Sequence, residues 1–110
     1  MNGIAKTPKP PYFAVIFTSL RTDEVEGYGE TAVRMTELAA QQPGFLGVEF
    51  AREEIGITVS YWADLDSIKA WKQNAEHIIA QEHGQTHWYQ QYKTRIVKVE
   101  RDYEWSQSQK

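Results

Sequence analysis

The chain has 110 residues, a formal net charge of -3 and no cysteine. Its length accommodates one domain with a single hydrophobic core, and an aromatic content of 13% excludes an intrinsically disordered chain. The mild acidity argues against nucleic-acid binding and against a basic membrane-binding surface, and the lack of cysteine excludes disulfides and thiolate metal sites. No segment has the pattern of a signal peptide or a membrane span, so we expect a soluble, cytoplasmic protein.

The first half of the chain predicts a strand, a helix and a β-hairpin. Residues 1–11 are polar and end in two prolines, so we expect a loose N-terminal arm. The β-branched and aromatic run at 12–20 predicts a buried strand. Apolar residues at helical spacing predict a helix over 28–42 that ends at a Pro-Gly pair. Segments 45–53 and 57–63 predict two strands joined by a short turn.

The second half predicts a helix and a final strand. Asp64 is a suitable N-cap for the helix, and apolar residues then recur on one helical face. Asn74 could act as a second N-cap and break this helix. The aromatic segment 87–92 predicts a short helical turn, 94–105 predicts a long strand, and residues 106–110 predict a frayed tail.

The predicted order of elements matches the split βαβ, ferredoxin-like plan over residues 12–105. In this α+β fold, a four-stranded antiparallel sheet carries both helices on one face. Alternation along the first and third strands gives two sets of residues: a bulky set (Phe13, Val15, Phe17, Ile57, Val59, Tyr61) and a smaller, mixed set (Ala14, Ile16, Thr18, Thr58, Ser60, Trp62). We assign the bulky set to the helix side. The mixed face then lines a cavity or contacts a second copy of the chain, and an open sheet face is the alternative.

The three histidines raise the question of a metal ion or a general base. His83 and His87 have the i, i+4 spacing of a metal-binding pair. Gly84 interrupts the helical face between them and no third ligand is near, so we predict no metal. His77 lies opposite the apolar arc if its helix is straight, which favours a solvated side chain. A break at Asn74 would let His77 face a pocket.

Aromatic residues are the most unusual feature, with four Trp and six Tyr. A cluster of them falls in the third strand, the second helix and the segment that follows: Trp62, Trp71, Trp88 and Tyr89. Core packing explains such residues, because aromatic side chains bury large areas. They equally suit the wall of a site for a flat ligand, and both interpretations can hold together. The chain has no glycine-rich phosphate loop and no nucleophile elbow, which argues against a nucleotide cofactor and a serine hydrolase.

The stretch from Tyr61 to Tyr103 resembles the antibiotic biosynthesis monooxygenase family, and PGFLGVEFAR upstream fits the same pattern. The pieces that carry the resemblance are, in order, Tyr61-Trp62, Trp71, Glu76-His77, Gln81, Gly84, Trp88-Tyr89 and Glu100-Arg101. The similarity runs from about Tyr12 to Trp105. It implies a homodimer in which the sheets of two ferredoxin-like protomers face each other and close a dimeric α+β barrel.

The resemblance also implies a range of chemistry. Members of the family include monooxygenases that oxidise aromatic phenols or quinols with O2 and no cofactor, and a haem-degrading branch. That branch uses an Asn in the first strand, and a Trp followed by a His ten residues later. Trp71 matches the Trp, but Gln81 stands at the position of the His and the first strand offers Thr18-Ser19 in place of the Asn. Haem breakdown is therefore not expected.

The leading hypothesis is a cofactor-independent oxidation of a small, flat aromatic substrate bound in the barrel. Such a substrate donates an electron to O2 once it is deprotonated, so the protein must bind it, remove a proton and exclude water. In this hypothesis His77 or Tyr89 is the base and Arg101 the anion stabiliser, although Arg101 equally suits a salt bridge with an acidic neighbour. The expected substrate-binding residues are Thr18, Ser60, Trp62, Trp71, Gln81 and Trp88. A non-catalytic small-molecule-binding or stress-associated dimer is the alternative, and a haem-binding protein is the third hypothesis.

Overall fold

The chain folds as a four-stranded antiparallel sheet with two helices. The computed structural model describes residues 3–23, 27–81 and 88–107, with the backbone alone described for 77–81. The elements in chain order are β1 (Tyr12–Arg21), α1 (Tyr28–Ala40), β2 (Phe45–Arg52), β3 (Gly56–Trp62), α2 (Leu65–Gln81) and β4 (Tyr89–Val99). The strands are arranged in the order β2-β3-β1-β4 and all pairs are antiparallel. This arrangement confirms the predicted α+β, ferredoxin-like fold. Neither α1 nor α2, as far as they are described, is long and apolar enough to cross a membrane.

The last strand differs from the prediction at both ends. The segment 87–92 was expected to be helical, but β4 begins at Tyr89 and pairs with β1 from there onward. The strand ends at Val99, so residues 100–105 lie outside the sheet. Val99 pairs with Tyr12, the first residue of β1, and the preceding Pro11 has no N–H to extend the ladder. The partner strand therefore determines where β4 ends.

The register between β1 and β3 overturns the expected assignment of faces. Residues directly opposite each other in an antiparallel pair share a face of the sheet. Phe13 lies opposite Trp62, so the bulky set of β1 shares its face with the mixed set of β3. The helix face therefore carries Phe13, Val15, Phe17, Thr58, Ser60 and Trp62, and the open face carries Ala14, Ile16, Thr18, Ile57, Val59 and Tyr61. Alternation shows which residues of one strand share a face, but only the register relates one strand to the next.

Trp62 is the centre of the hydrophobic core and is 0% exposed. Its side chain packs with Ala39 of α1 and Ile68 of α2, so one residue of the sheet contacts both helices. The Trp71 ring stacks near it, with centroids 6.3 Å apart and an interplanar angle of 24°. The indole Nε1 donates to Ser60 Oγ at 2.9 Å, so burial leaves no unpaired N–H.

We expect Trp62→Ala to lower the free energy of unfolding by about 3–5 kcal/mol, because it leaves a large cavity between the sheet and both helices. Trp71→Ala should cost less, because Trp71 is only half-buried. Urea unfolding followed by circular dichroism measures both, and Trp105→Ala is the control, since Trp105 is exposed. Equal midpoints for the Trp62 and Trp105 variants would contradict this account of the core.

The start of α2 packs against the turn between α1 and β2. Asp64 accepts a hydrogen bond from the Ser67 N–H at 2.8 Å, which confirms it as the N-cap. This bond also lowers the pKa of Asp64. Gly44 has a φ of 84°, its carbonyl accepts from the Ala63 N–H at 2.8 Å, and a Cβ there would overlap the Ser67 side chain. Glycine is therefore required both by the left-handed backbone and by the close approach of α2.

The N-terminal arm, which we expected to be loose, contacts the open face of the sheet. The Ala5 N–H donates to Glu49 Oε2 at 2.8 Å, and the Tyr61 hydroxyl donates to the other oxygen of the same carboxylate at 2.7 Å. Thr7 Oγ1 donates to the Tyr12 hydroxyl at 3.0 Å, which itself donates to the carboxylate of Asp102. The arm and the segment after β4 are thus attached to the sheet by two buried or half-buried tyrosines.

This network predicts a pH dependence of stability in the alkaline range. Burial, followed by the hydrogen bond to Glu49, raises the pKa of Tyr61 from 10 to about 12. Because the folded-state pKa lies above the unfolded one, the phenol form contributes stability that is fully present below pH 10 and is lost as the pH rises through 12. We expect Tyr61→Phe to flatten the fall of the melting temperature over this range. Tyr103→Phe is the matched control, because Tyr103 is exposed, and equal slopes in wild type and Tyr61→Phe would refute the prediction.

Candidate functional site

A cavity of about 260 Å³ lies between the two helices and the sheet. This volume is slightly below the range of about 300–1,000 Å³ that is usual for small-molecule sites, and it suits a compact ligand of few rings. Most of the lining is apolar. It comes from the sheet (Val15, Phe17, Phe45, Val48, Ile96), from α1 (Ala32, Met35, Ala39) and from α2 (Ile68, Trp71, Ala75).

Aromatic rings form one end of the cavity, where α1 and β4 begin. Phe17 of β1 contacts Tyr89 and Tyr92, with ring centroids 5.6 and 5.3 Å apart. Tyr28, the first residue of α1, lies edge-on to Tyr89 at 5.9 Å. Towards the opposite end, Trp71 contributes its ring from α2. These rings offer flat apolar surfaces on more than one side of the space, as a planar aromatic ligand requires.

Few polar groups interrupt this lining. Ser60 accepts a hydrogen bond from the Trp62 indole, so its own hydroxyl proton remains to be donated to a ligand. Thr58 and Thr94 flank Phe17 on the two neighbouring strands. Lys72 and Glu76, one turn apart on α2, provide the charged side chains of the lining. The cavity can therefore orient a ligand through a small number of hydrogen bonds.

Tyr89 is held in its protonated form. Burial raises its pKa above the usual 10, and a hydrogen bond with Tyr28 adds to the rise, while the charges of Arg52 and Arg21 oppose it. The phenolate that a general base requires is thus disfavoured at neutral pH. A hydrogen bond between two hydroxyls uses one of their two protons, so the Tyr28–Tyr89 pair still has one to donate to a ligand.

Three of the predicted site residues line the cavity, namely Ser60, Trp71 and Tyr89. Two others support the lining from behind. Trp62 is buried beneath Trp71, and Trp88 is buried against Tyr28, with ring centroids 5.6 Å apart. Within the aromatic cluster, Trp62 and Trp88 are therefore packing residues, and Trp71 and Tyr89 line the cavity.

Two predicted residues lie away from the cavity within the chain. Thr18 pairs with Ile57 and Lys93 on the open face, on the other side of the sheet. Arg101 is exposed beyond the end of β4, beside Lys9 and Pro10. The 11 residues of β4 separate it from the aromatic end of the cavity, a span of roughly 35 Å of strand. Neither side chain can contact a ligand in the cavity of its own protomer.

The structure describes only part of the segment that contains the three histidines. The backbone of His77 and Gln81 belongs to α2, which passes through Asn74 without a break. The helix is therefore unbroken, which is the case in which we expected His77 to turn away from the apolar arc. The side chains of His77 and Gln81 lie outside the described residues. His83, Gly84 and His87 also lie outside them. In the part of the chain that is described, no three His, Asp or Glu side chains form a group that could hold a metal ion.

Sequence reasoning missed Tyr28, Tyr92 and Glu76. Glu76 follows Ile68, Trp71, Lys72 and Ala75 at helical spacing, so the periodicity of α2 could have placed it on the same arc. Tyr28 and Tyr92 had no such signal, because they are far apart in sequence and line the same cavity only in the folded chain. The segment that contains Tyr92 was moreover predicted to be helical.

The sequence profile described as "Antibiotic biosynthesis monooxygenase" matches residues 11–83. The chain belongs to this family. A relative from Bacillus subtilis strain 168, the uncharacterized protein YqjZ, is 53% identical over 103 residues, which are 92% of this chain and 90% of YqjZ. The resemblance to the family that the motifs indicated is therefore confirmed.

Two solved structures show the same fold as this member of the family. SnoaB, a cofactor-independent oxygenase from Streptomyces nogalater, aligns with a TM-score of 0.65 and 11% identity, over 84% of this chain and 97% of SnoaB. PA3566 from Pseudomonas aeruginosa aligns with a TM-score of 0.64 and 15% identity, over 87% and 99% of the two chains. At these identities the likeness concerns the fold.

Proposed function

We propose that the chain is a cofactor-independent monooxygenase that oxidises a small, quinol-like aromatic substrate with O2. The observation that carries the proposal is the aromatic-walled cavity between the helices and the sheet, with few polar groups in its lining. Family membership and the shared fold of SnoaB, which is a cofactor-independent oxygenase, also support this function.

The cavity supplies what such a reaction needs from a protein. The rings of Trp71 and Phe17 bind the flat substrate and exclude water, which strengthens the polar interactions inside. Ser60 and the Tyr28–Tyr89 pair donate hydrogen bonds to substrate oxygens. Since Tyr89 is held protonated, we assign the base to the end of α2, where Glu76 lines the cavity and His77 is the next residue.

The reaction balances without an added reductant. Loss of a proton from the substrate gives a carbanion–enolate, which passes one electron to O2. The resulting superoxide joins the substrate radical through a new C–O bond, and the peroxide takes up a proton. Loss of water then leaves a carbonyl, so that CH2 and O2 give C=O and H2O. The four electrons that reduce O2 come from the substrate carbon, and a hydroxyl of the Tyr28–Tyr89 pair stabilises the peroxide.

We expect protein-dependent O2 uptake with anthrone- or naphthol-like substrates, without added flavin and in the presence of EDTA. One of two variants, Glu76→Gln or His77→Ala, removes the base, and O2 uptake should fall about 10²-fold or more in that variant. Glu37→Gln, on the exposed side of α1, is the matched control and should keep the wild-type rate.

Two results would contradict this assignment. Full activity in both α2 variants would show that the base does not lie at this end of the helix. Ligands of this class that raise the melting temperature without any O2 uptake would favour the alternative, a non-catalytic small-molecule-binding dimer.

The proposal includes a homodimer formed through the open face. Both helices lie on the other side of the sheet, and Ile57 and Val97 of the open face are 44% and 37% exposed. Ile16 and Val59 lie between them on the same face. Exposed apolar side chains on a sheet face that no helix covers are typical of a subunit contact, and the family resemblance implies the same pairing of sheets.

Light scattering at micromolar concentration should give the mass of a dimer, with an interface on the order of 2,000 Å² or more. Val97→Asp should shift the mass to that of a monomer, because the carboxylate would be buried without a partner. Val33→Asp, at an exposed position of α1, is the control. A monomeric mass for the wild type would contradict the proposed homodimer.

A further inference from the structure

A row of side chains crosses the helix face of the sheet at the aromatic end of the cavity. Arg52 of β2 lies opposite Gly56 of β3, Gly56 lies opposite Ser19 of β1, and Ser19 lies opposite Tyr92 of β4. Tyr92 lines the cavity, and so does Phe17, two residues before Ser19 on β1. The row therefore borders the cavity floor.

The guanidinium of Arg52 lies across Gly56 and points along this row. A Cβ at position 56 would overlap the Nε, Cζ and Nη2 atoms of Arg52, so the absence of a side chain there gives the arginine its path. Nη2 donates to Ser19 Oγ, and Ser19 is 2% exposed. Neighbouring strands are about 4.8 Å apart. The guanidinium thus ends about one strand spacing from Tyr92.

Among the described residues, no carboxylate pairs with the guanidinium of Arg52. Its hydrogen-bond partner is the neutral hydroxyl of Ser19, and within the described ranges 3–23, 27–81 and 88–107 no acidic side chain forms an ion pair with it. Arg52 is half-buried, and a guanidinium has five N–H donors, so most of them remain for a ligand. A partly desolvated arginine with spare donors is a favourable site for an anion.

A second arginine adds positive charge at the same end. The Arg21 guanidinium lies over the ring of Tyr28, 4.6 Å from its centroid, and Tyr28 lines the cavity. The charges of Arg52 and Arg21 both act on the Tyr89 hydroxyl. The aromatic end of the cavity therefore combines flat apolar rings with two nearby cations.

We propose that this end of the cavity binds the carboxylate of an aromatic acid, and that Arg52 is the specificity-determining residue. The guanidinium presents two parallel N–H groups, which match the two oxygens of a carboxylate. The aromatic body of the ligand extends from there between Phe17 and Trp71. This inference rests on the proposed function, because it names the class of substrate that the same cavity accepts.

Isothermal titration with 2-naphthoate and its neutral isostere 2-naphthamide tests the inference on the wild-type protein. We expect 2-naphthoate to bind roughly tenfold or more tightly than the amide, as for a hydrogen bond to a charged group. Arg52→Gln should remove this preference by weakening the binding of 2-naphthoate much more than that of 2-naphthamide, because only the carboxylate loses a charge-assisted contact. Arg34→Gln, at an exposed position of α1, should retain the preference.

Gly56→Ala provides a second variant that keeps the charge but displaces the guanidinium from its path. It should also lower the affinity for 2-naphthoate selectively. This variant tests the site if circular dichroism shows that Arg52→Gln does not fold. Equal affinity of the two ligands for wild type, or an unchanged preference in whichever variant folds, would overturn the carboxylate site and leave the proposed cavity intact. Binding of neither ligand at millimolar concentration would overturn the cavity as a substrate site as well.

Discussion

The antiparallel register that places Phe13 opposite Trp62 determines the rest of the molecule. It brings Phe13 together with Trp62, the largest side chain of β3, at one end of the helix face, where Trp62 contacts both α1 and α2. Towards the other end of the same face, β3 carries only Ser60 and Thr58. The helices are thus held off the sheet by an indole at one end, and smaller side chains leave the space beyond it unfilled. The cavity is a consequence of this gradient in side-chain volume.

The chemistry of the cavity follows from what surrounds each polar group. Burial keeps Tyr89 protonated, so the tyrosine pair donates hydrogen bonds, and the proposed reaction assigns the base to α2. In the proposed carboxylate site the charge comes from Arg52, whose guanidinium lies across position 56 because glycine leaves its path free. Arg101, which our hypothesis from the sequence made the anion stabiliser, lies beyond the far end of β4. The acidic, basic and apolar functions of the site are therefore carried by different elements.

The opposite face of the sheet is divided between two uses. Near the end of the sheet where β1 begins, Glu49, Tyr61 and Tyr12 bind the N-terminal arm and Asp102 through hydrogen bonds. Towards the other end, Ile57 remains exposed on β3. The arm therefore covers the part of the face that carries hydroxyls and a carboxylate, while apolar surface remains for a second protomer. This division explains how an arm can be attached to a sheet without occupying all of the face that pairs in the proposed dimer.

The sequence by itself determined the order of the elements, because hydrophobic periods of 2 and 3.6 residues are local properties of the chain. It also determined the family, since the motifs from Tyr61 to Arg101 can be recognised without any knowledge of contacts. Only the tertiary structure decided which threonine belongs to the site: Thr58 lines the cavity and Thr18 does not, although both alternate in a strand. A shift of register by one residue exchanges the two faces of a strand, and the register depends on contacts between segments distant in sequence. For the same reason, Tyr28 and Tyr92 came to line the cavity only when α1 and β4 met at one end of the sheet, and the proposed role of Arg52 depends on the register of β2 against β3.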